Sequence, residues 1–179
     1  TVFIEYAPLE TAWVPIEGEN FIYLYCLWAC GPYKGKGYGR ALMESCIADA
    51  RQSGKAGVCM LGAAKQKAWL SDQAFAKKFG FTTVDTAPHF AASAKSMKIE
   101  SQALTIYHSV QCPYTWQSIE MVRKYCAENH VPVQFCPVDS LAKAKQLPCV
   151  FNNWAVFYRG SFQTVNLLDA ASLIRILKQ

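Results

Sequence analysis

The residues best suited to chemistry lie together in one short, glycine-rich loop. The loop reads, in order, Lys34, Gly35, Lys36, Gly37, Tyr38, Gly39 and Arg40. Because glycine has no side chain, the main chain can turn tightly there and bring its N–H groups close to a ligand. The two lysines and the arginine add positive charge. The loop therefore predicts a binding site for a phosphate or pyrophosphate group.

Two elements must position this loop. Residues 21–29 are a continuous apolar run, which is typical of a central strand, and residues 41–52 have the spacing of an amphipathic helix. The first N–H groups of a helix have no partner within it, and its dipole is positive at that end. The sequence does not match either of two familiar nucleotide-binding loops. A dinucleotide fingerprint needs a glycine at position 42, which is Leu42 here, and a P-loop needs a Lys-Ser or Lys-Thr pair, which does not follow.

The loop resembles the acyl-CoA loop of the GNAT family of N-acetyltransferases. That pattern is Arg or Gln, two residues, Gly, one residue, then Gly or Ala, and it reads Lys34, Gly37 and Gly39 here. Residues 1–98 resemble the later two thirds of the GNAT fold, including its ending at residues 74–81. The resemblance implies that acetyl-CoA is the donor and that the glycine loop holds its pyrophosphate. It also implies that the pantetheine arm pairs with backbone groups of Leu27, Trp28 and Ala29.

The sequence matches the GNAT pattern less well at the catalytic residues than at the acyl-CoA loop. By resemblance, an amine attacks the thioester directly, so the protein supplies proximity, a base and sometimes an acid. Many relatives place a tyrosine acid where this chain has Ala76, and an asparagine where it has Trp69. Glu5 and Glu10 are candidate bases, and Glu5 lies in a strand expected near the cleft. The sequence assigns neither, and the acceptor is a small-molecule or peptide amine of unknown identity.

Composition and charge narrow the class of protein. The 179 residues suit one domain or two small ones, and the eight cysteines lie mostly in apolar elements without a Cys-x-x-Cys pair. We therefore expect free thiols, no metal site and a cytoplasmic location. No long apolar run or leader is seen, so we expect no membrane partner. Residues 34–98 carry eleven Lys and Arg against four acids, too sparse a basic stripe for nucleic acid.

The second half predicts a different domain, with the order β-α-β-α-β-β-α. Its opening strand, residues 104–108, leads through Cys112 and Pro113 into a helix, and a hairpin turns at Arg159 and Gly160. This order resembles the glutaredoxins, whose motif is Cys-Pro-Tyr-Cys. We therefore predict an α/β (α+β) chain: a GNAT-like mixed-sheet domain at 1–100 and a thioredoxin-like domain at 101–179. The whole chain resembles the YoaP-like acetyltransferases of bacteria.

Two alternatives to an acetyltransferase remain open. Cys112 lies before a helix, where the dipole favours a thiolate, so a monothiol oxidoreductase or thiol sensor is one. Thr115 replaces the second cysteine and excludes an internal dithiol, and Pro148 is the candidate for the cis proline of that fold. A non-catalytic CoA-binding protein is the other. The resemblance also leaves the GNAT fold without its N-terminal part. Either a longer chain or a partner, such as the second copy in a homodimer, supplies that part, or the transferase is incomplete.

Overall fold

The computed structural model describes residues 1–63, 71–84, 97–112, 114–149 and 151–179. These residues form two compact units. One contains Thr1–Ala12 and Ile16–Thr83, and the other contains Trp13–Pro15 and Val84–Gln179. The domain boundary near residue 100 stays a prediction.

The first unit is built on a three-stranded sheet. Its strands are β1 (Val2–Pro8), β2 (Phe21–Ala29) and β3 (Gly57–Cys59), and β2 lies in the middle. β2 is antiparallel to β1 and parallel to β3. Ile22, Tyr23 and Leu24 are buried, as an apolar central strand requires. The predicted strand at residues 21–29 is confirmed.

One long helix covers this sheet. Helix α1 (Tyr38–Gln52) buries Met43, Cys46 and Ala50, which belong to the apolar face expected from the sequence. Cys46 and Ala50 pack with Ile22 of β2. The helix begins earlier than predicted, at Tyr38, and the chain leaves it through Gly54, whose φ is +66°.

The other elements of this unit are short. They are a 3-10 helix (Leu9–Thr11), β4 (Gly62–Ala63) paired with β5 (Ser71–Asp72), and helix α2 (Gln73–Lys77). The sequence of residues 12–16 predicts a strand, and this prediction is wrong. The 3-10 helix ends at Thr11, and Trp13 packs against an apolar cluster of the second unit.

The sequence of residues 68–79, which is followed by Gly80, predicts a helix, but helix α2 covers only Gln73–Lys77. Ser71 and Asp72 form a strand, and the Asp72 carboxylate accepts a hydrogen bond of 2.8 Å from the Ala74 N–H, which starts the helix there. The sequence also predicts a closing pair of strands at residues 82–85 and 91–97, but residues 82–84 and 97 are not in a strand. The predicted helix residues 68–70 and strand residues 85 and 91–96 lie outside the described residues.

The second unit is a four-stranded sheet with helices on it. The strands are β6 (Leu104–Ser109), β7 (Val133–Val138), β8 (Trp154–Tyr158) and β9 (Ser161–Thr164). The order is β7-β6-β8-β9, with β6 parallel to β7 and antiparallel to β8. The helices are α3 (Thr115–Glu128), α4 (Leu141–Lys145) and α5 (Ala170–Leu177). The predicted order β-α-β-α-β-β-α is confirmed.

Two apolar clusters lie on this sheet. One joins Ile106 and Trp154 to Ile119 and Val122 of α3 and to Leu173 of α5. The other surrounds Phe157 and includes Val138, Ala144, Cys149, Phe151, Ala155 and Phe162. The described residues contain no cis peptide bond, so the cis proline expected at Pro148 is not observed.

Candidate functional site

The first feature of the site is a difference in length between two parallel strands. β2 and β3 pair only at Phe21 with Gly57, Ile22 with Val58, and Tyr23 with Cys59. β2 then continues to Ala29, whereas β3 ends at Cys59. The last residues of β2, Leu27, Trp28 and Ala29, pair with β1 and lie beyond the three residues that pair with β3. An extended ligand can take the place of a strand at such an edge.

A bulge in β2 lies at the same point. Glu5 of β1 pairs with Cys26, but the next residue, Tyr6, pairs with Leu24, so Tyr25 is the extra residue. A bulge bends the strand and redirects its backbone groups. The bulge therefore sets the direction of residues 26–29.

The glycine loop follows directly from this strand. Gly35 and Gly37 have φ values of +76° and +83°, a left-handed conformation that favours glycine. A Cβ added at either residue would meet no atom within 4 Å, so the backbone there lies open. Both glycines therefore serve the purpose that the sequence predicts, a tight turn with an accessible main chain.

The start of α1 supplies donors beside the open backbone. The first helical hydrogen bond runs from the Ala41 N–H to the Gly37 carbonyl at 3.1 Å. Gly37 provides no side-chain cap, and in the described part of the chain the amides of residues 38–40 have no acceptor. Unpaired amides at the positive end of a helix dipole are suited to bind an anion.

The charged side chains of the loop differ in their surroundings. Lys34 and Lys36 are exposed and, within the described ranges, form no ion pair. Arg40 pairs with Glu44 at 3.3 Å and lies over the Phe79 ring, 5.4 Å from its centroid. The two lysines are therefore available for a ligand, while Arg40 also braces the start of α1.

Sequence reasoning missed two residues that support the loop, Phe75 and Phe79. An added Cβ at Gly39 would lie 3.6 Å from Leu27 and 3.7 Å from Phe75, so helix and strand approach closely there. The rings of Phe75 and Phe79 are 5.1 Å apart. The i, i+4 spacing of these aromatic residues just before Gly80 was the available signal.

The two candidate bases have different environments. Glu5 is half-buried, and burial raises the pKa of its carboxyl above the ordinary value. Glu10 accepts a hydrogen bond of 2.7 Å from the Asn20 N–H and pairs with Lys55 at 3.1 Å. Hydrogen bonds to the Glu10 carboxylate, from the backbone and then from Lys55, lower its pKa to about 2. Glu10 therefore forms a structural ion pair with Lys55 and is a poor base.

The position expected for a general acid holds no such group. Ala76 is only 4% exposed and faces the interior of its unit. Trp69, the other position that departs from the family pattern, lies outside the described residues.

Cys112 lies apart from these residues, in the second unit. Its thiol is half-buried, and its carbonyl accepts a hydrogen bond of 2.8 Å from the Thr115 hydroxyl. Thr115 is 4% exposed, and its hydroxyl also lies 3.3 Å from the Ser109 carbonyl. The position of a second cysteine is thus occupied by a hydroxyl that ties the loop to α3. Pro113 lies outside the described residues.

The described residues show neither a metal-binding cluster nor a membrane-spanning helix. No cluster of His, Cys, Asp and Glu in this part of the chain could hold a metal ion. None of the helices described above has the length and apolar character needed to cross a membrane.

Comparison with known proteins gives results for both halves of the chain. Residues 3–81 match the acetyltransferase (GNAT) family, and residues 132–175 match the YoaP-like family. A relative from Bacillus subtilis (strain 168), named "Uncharacterized N-acetyltransferase YoaP", is 33% identical over 193 aligned positions. The alignment covers 98% of this chain and 77% of the relative. No solved structure matches at a significant level.

Proposed function

The chain belongs to the YoaP-like N-acetyltransferases of the GNAT family, and we propose that it transfers an acetyl group from acetyl-CoA to an amine. The observation that carries the donor assignment is the set of unpaired amides at residues 38–40, behind an open glycine backbone. An anionic group fits there by charge and by hydrogen bonding.

Three parts of the chain would hold the donor. The loop amides and the side chains of Lys34 and Lys36 take the pyrophosphate. The β2 edge from Leu27 to Ala29 takes the amides of the pantetheine arm, since it lies beyond the paired region of β2 and β3. A Cβ added at Gly39 would lie 3.6 Å from the Leu27 side chain, so the loop and this edge are neighbours.

The reaction itself is simple in its bonds. Acetyl-CoA supplies an activated acyl group as a thioester. The amine nitrogen bonds to the acyl carbon, the carbon–sulfur bond breaks, and the sulfur leaves with its electron pair and takes up a proton. The chain's part is to orient the two reactants and to accept the proton that the attacking amine must lose.

Glu5 is the residue we propose as the proton acceptor. It pairs with Cys26, next to the bulge at Tyr25, so it lies where β2 turns toward the proposed donor site. Its raised pKa brings its basicity nearer to neutral pH, which improves a general base. Replacement by glutamine keeps the shape and removes the basicity.

The second unit we propose to be a thioredoxin-like accessory domain. Its sheet order, β7-β6-β8-β9, with one parallel and two antiparallel pairings, supports this proposal. The buried hydroxyl of Thr115 argues against dithiol chemistry at Cys112. A role in substrate binding therefore fits this unit better than a redox cycle.

The proposal is tested by measuring transfer directly. The protein is incubated with acetyl-CoA and a panel of amines, comprising a polyamine, an amino sugar and a lysine peptide, and acetylated product is measured by mass spectrometry. We expect one class to be acetylated and the rate to fall about 100-fold or more in Glu5→Gln, the usual range for losing a general base. Binding of acetyl-CoA without transfer to any amine would favour the non-catalytic CoA-binding protein instead.

A further inference from the structure

Two large aromatic side chains are exposed at the glycine loop, one just before it and one within it. Tyr33 ends a short 3-10 helix (Gly31–Tyr33), and Tyr38 is the first residue of α1. They are 41% and 43% exposed. Their rings meet edge to face, with centroids 5.7 Å apart and planes at 77°. Each ring therefore has its position set by the other while much of its surface faces solvent.

The pair lies next to the proposed phosphate site. The Tyr38 amide is itself one of the unpaired donors at the start of α1. In CoA, the pyrophosphate is bonded on one side to the pantetheine arm and on the other to adenosine. If the loop holds the pyrophosphate and β2 holds the arm, the adenosine is the part of CoA that leaves the other end of the pyrophosphate, next to the loop. The exposed rings are the aromatic surface beside the loop that could receive it.

We propose that Tyr33 and Tyr38 form an aromatic platform for the adenine ring of CoA. This inference rests on the proposed function and specifies which form of the acyl donor the site binds. A site with such a platform selects a free CoA thioester over an acyl group carried on 4′-phosphopantetheine, which has the arm and a phosphate but no adenine.

The chemistry of the rings suits a purine. Every base has a flat π-face, and stacking on an aromatic side chain strengthens binding without sequence or substituent specificity. A pair that only braced the loop would stabilise binding of CoA and of 4′-phosphopantetheine equally.

The test compares these two ligands by calorimetry. We expect Tyr33→Ala and Tyr38→Ala each to weaken CoA binding about tenfold, and to leave 4′-phosphopantetheine binding unchanged. Tyr38→Phe keeps the ring and should keep the CoA affinity. Trp116→Ala, which removes a 63% exposed ring in the second unit, is the control and should change neither affinity.

The outcomes separate this inference from the proposed function. An equal loss for both ligands, or no loss for CoA, would overturn the platform while leaving the acetyltransferase proposal intact. Wild-type protein that binds neither ligand would overturn both. Thermal denaturation of each variant shows whether it is folded. If an alanine variant is unfolded, the leucine variant at the same position, Tyr33→Leu or Tyr38→Leu, is measured instead, and the same change in affinity is expected.

Discussion

Replacing Gly37 by valine should separate the binding role of the glycine loop from its effect on folding. Gly37 has a φ of +83° and open space around an added Cβ. A left-handed conformation costs a residue with a side chain about 1–2 kcal/mol. Gly54, just after the other end of α1, has a φ of +66° and equally open space, so Gly54→Val is a matched control.

The two variants should lose similar stability but differ in binding. For a protein of this size, about 1–2 kcal/mol lowers Tm by roughly 2–8 °C, and we expect this range for both. A branched side chain at position 37 would also crowd the approach of a ligand to the neighbouring amides of residues 38–40. Losing hydrogen bonds to a charged ligand costs about 1.5–3 kcal/mol, so the affinity for acetyl-CoA should fall about 10-fold to 100-fold in Gly37→Val alone.

The measurements are differential scanning calorimetry for stability and titration calorimetry for acetyl-CoA. At a ligand concentration of about 100 times Kd, the wild type and Gly54→Val should gain about 2.7 kcal/mol on binding, and Gly37→Val should gain much less. Equal affinity in the two variants would refute the assignment of the loop amides to the phosphate.

Three other changes test the surrounding structure. Glu10→Gln should destabilise the protein at pH 7 because it breaks the pair with Lys55. Since folding lowers the Glu10 pKa from 4.5 to about 2, this loss should shrink as the pH falls through that window, as urea denaturation would show. Thr115→Val should cost about 1 kcal/mol by losing its hydrogen bonds, without changing acetyl-CoA binding. Gly160→Ala should lower Tm more than an alanine at an open turn would, since its Cβ would lie 2.9 Å from the Ile99 carbonyl oxygen.

The sequence predicted those parts of the fold that depend on local pattern. The apolar run of β2 and the 3.6-residue spacing of Met43, Cys46 and Ala50 are set by which side chains must be buried, and both are confirmed. Residues 12–16 misled because an apolar run next to a proline reads as a strand, whereas Trp13 is held in an apolar cluster distant in sequence. Tertiary contacts of this kind leave no periodic signal.

The same distinction applies to the candidate site. The glycine loop is one continuous stretch, so its residue types alone predicted an anion site. The bulge at Tyr25 depends on the pairing of two strands, and the contact of Phe75 with Gly39 depends on the packing of α2. Neither is encoded in a local pattern. The prediction of a GNAT-type acetyltransferase is confirmed by the family comparison, which the loop and its flanking elements had indicated.

The buried Ala76 has a consequence for the chemistry of this enzyme. A thiol has an ordinary pKa of about 8.5, so its thiolate leaves readily near neutral pH without a strong acid. An attacking alkylamine has a pKa of about 10.4 and is almost fully protonated there, so it must lose a proton before it can act. Removing the acid therefore costs less than removing the base. The rate should rise with pH as the amine loses its proton and should level off above its pKa, and a rate independent of pH between 6 and 10 would contradict this argument.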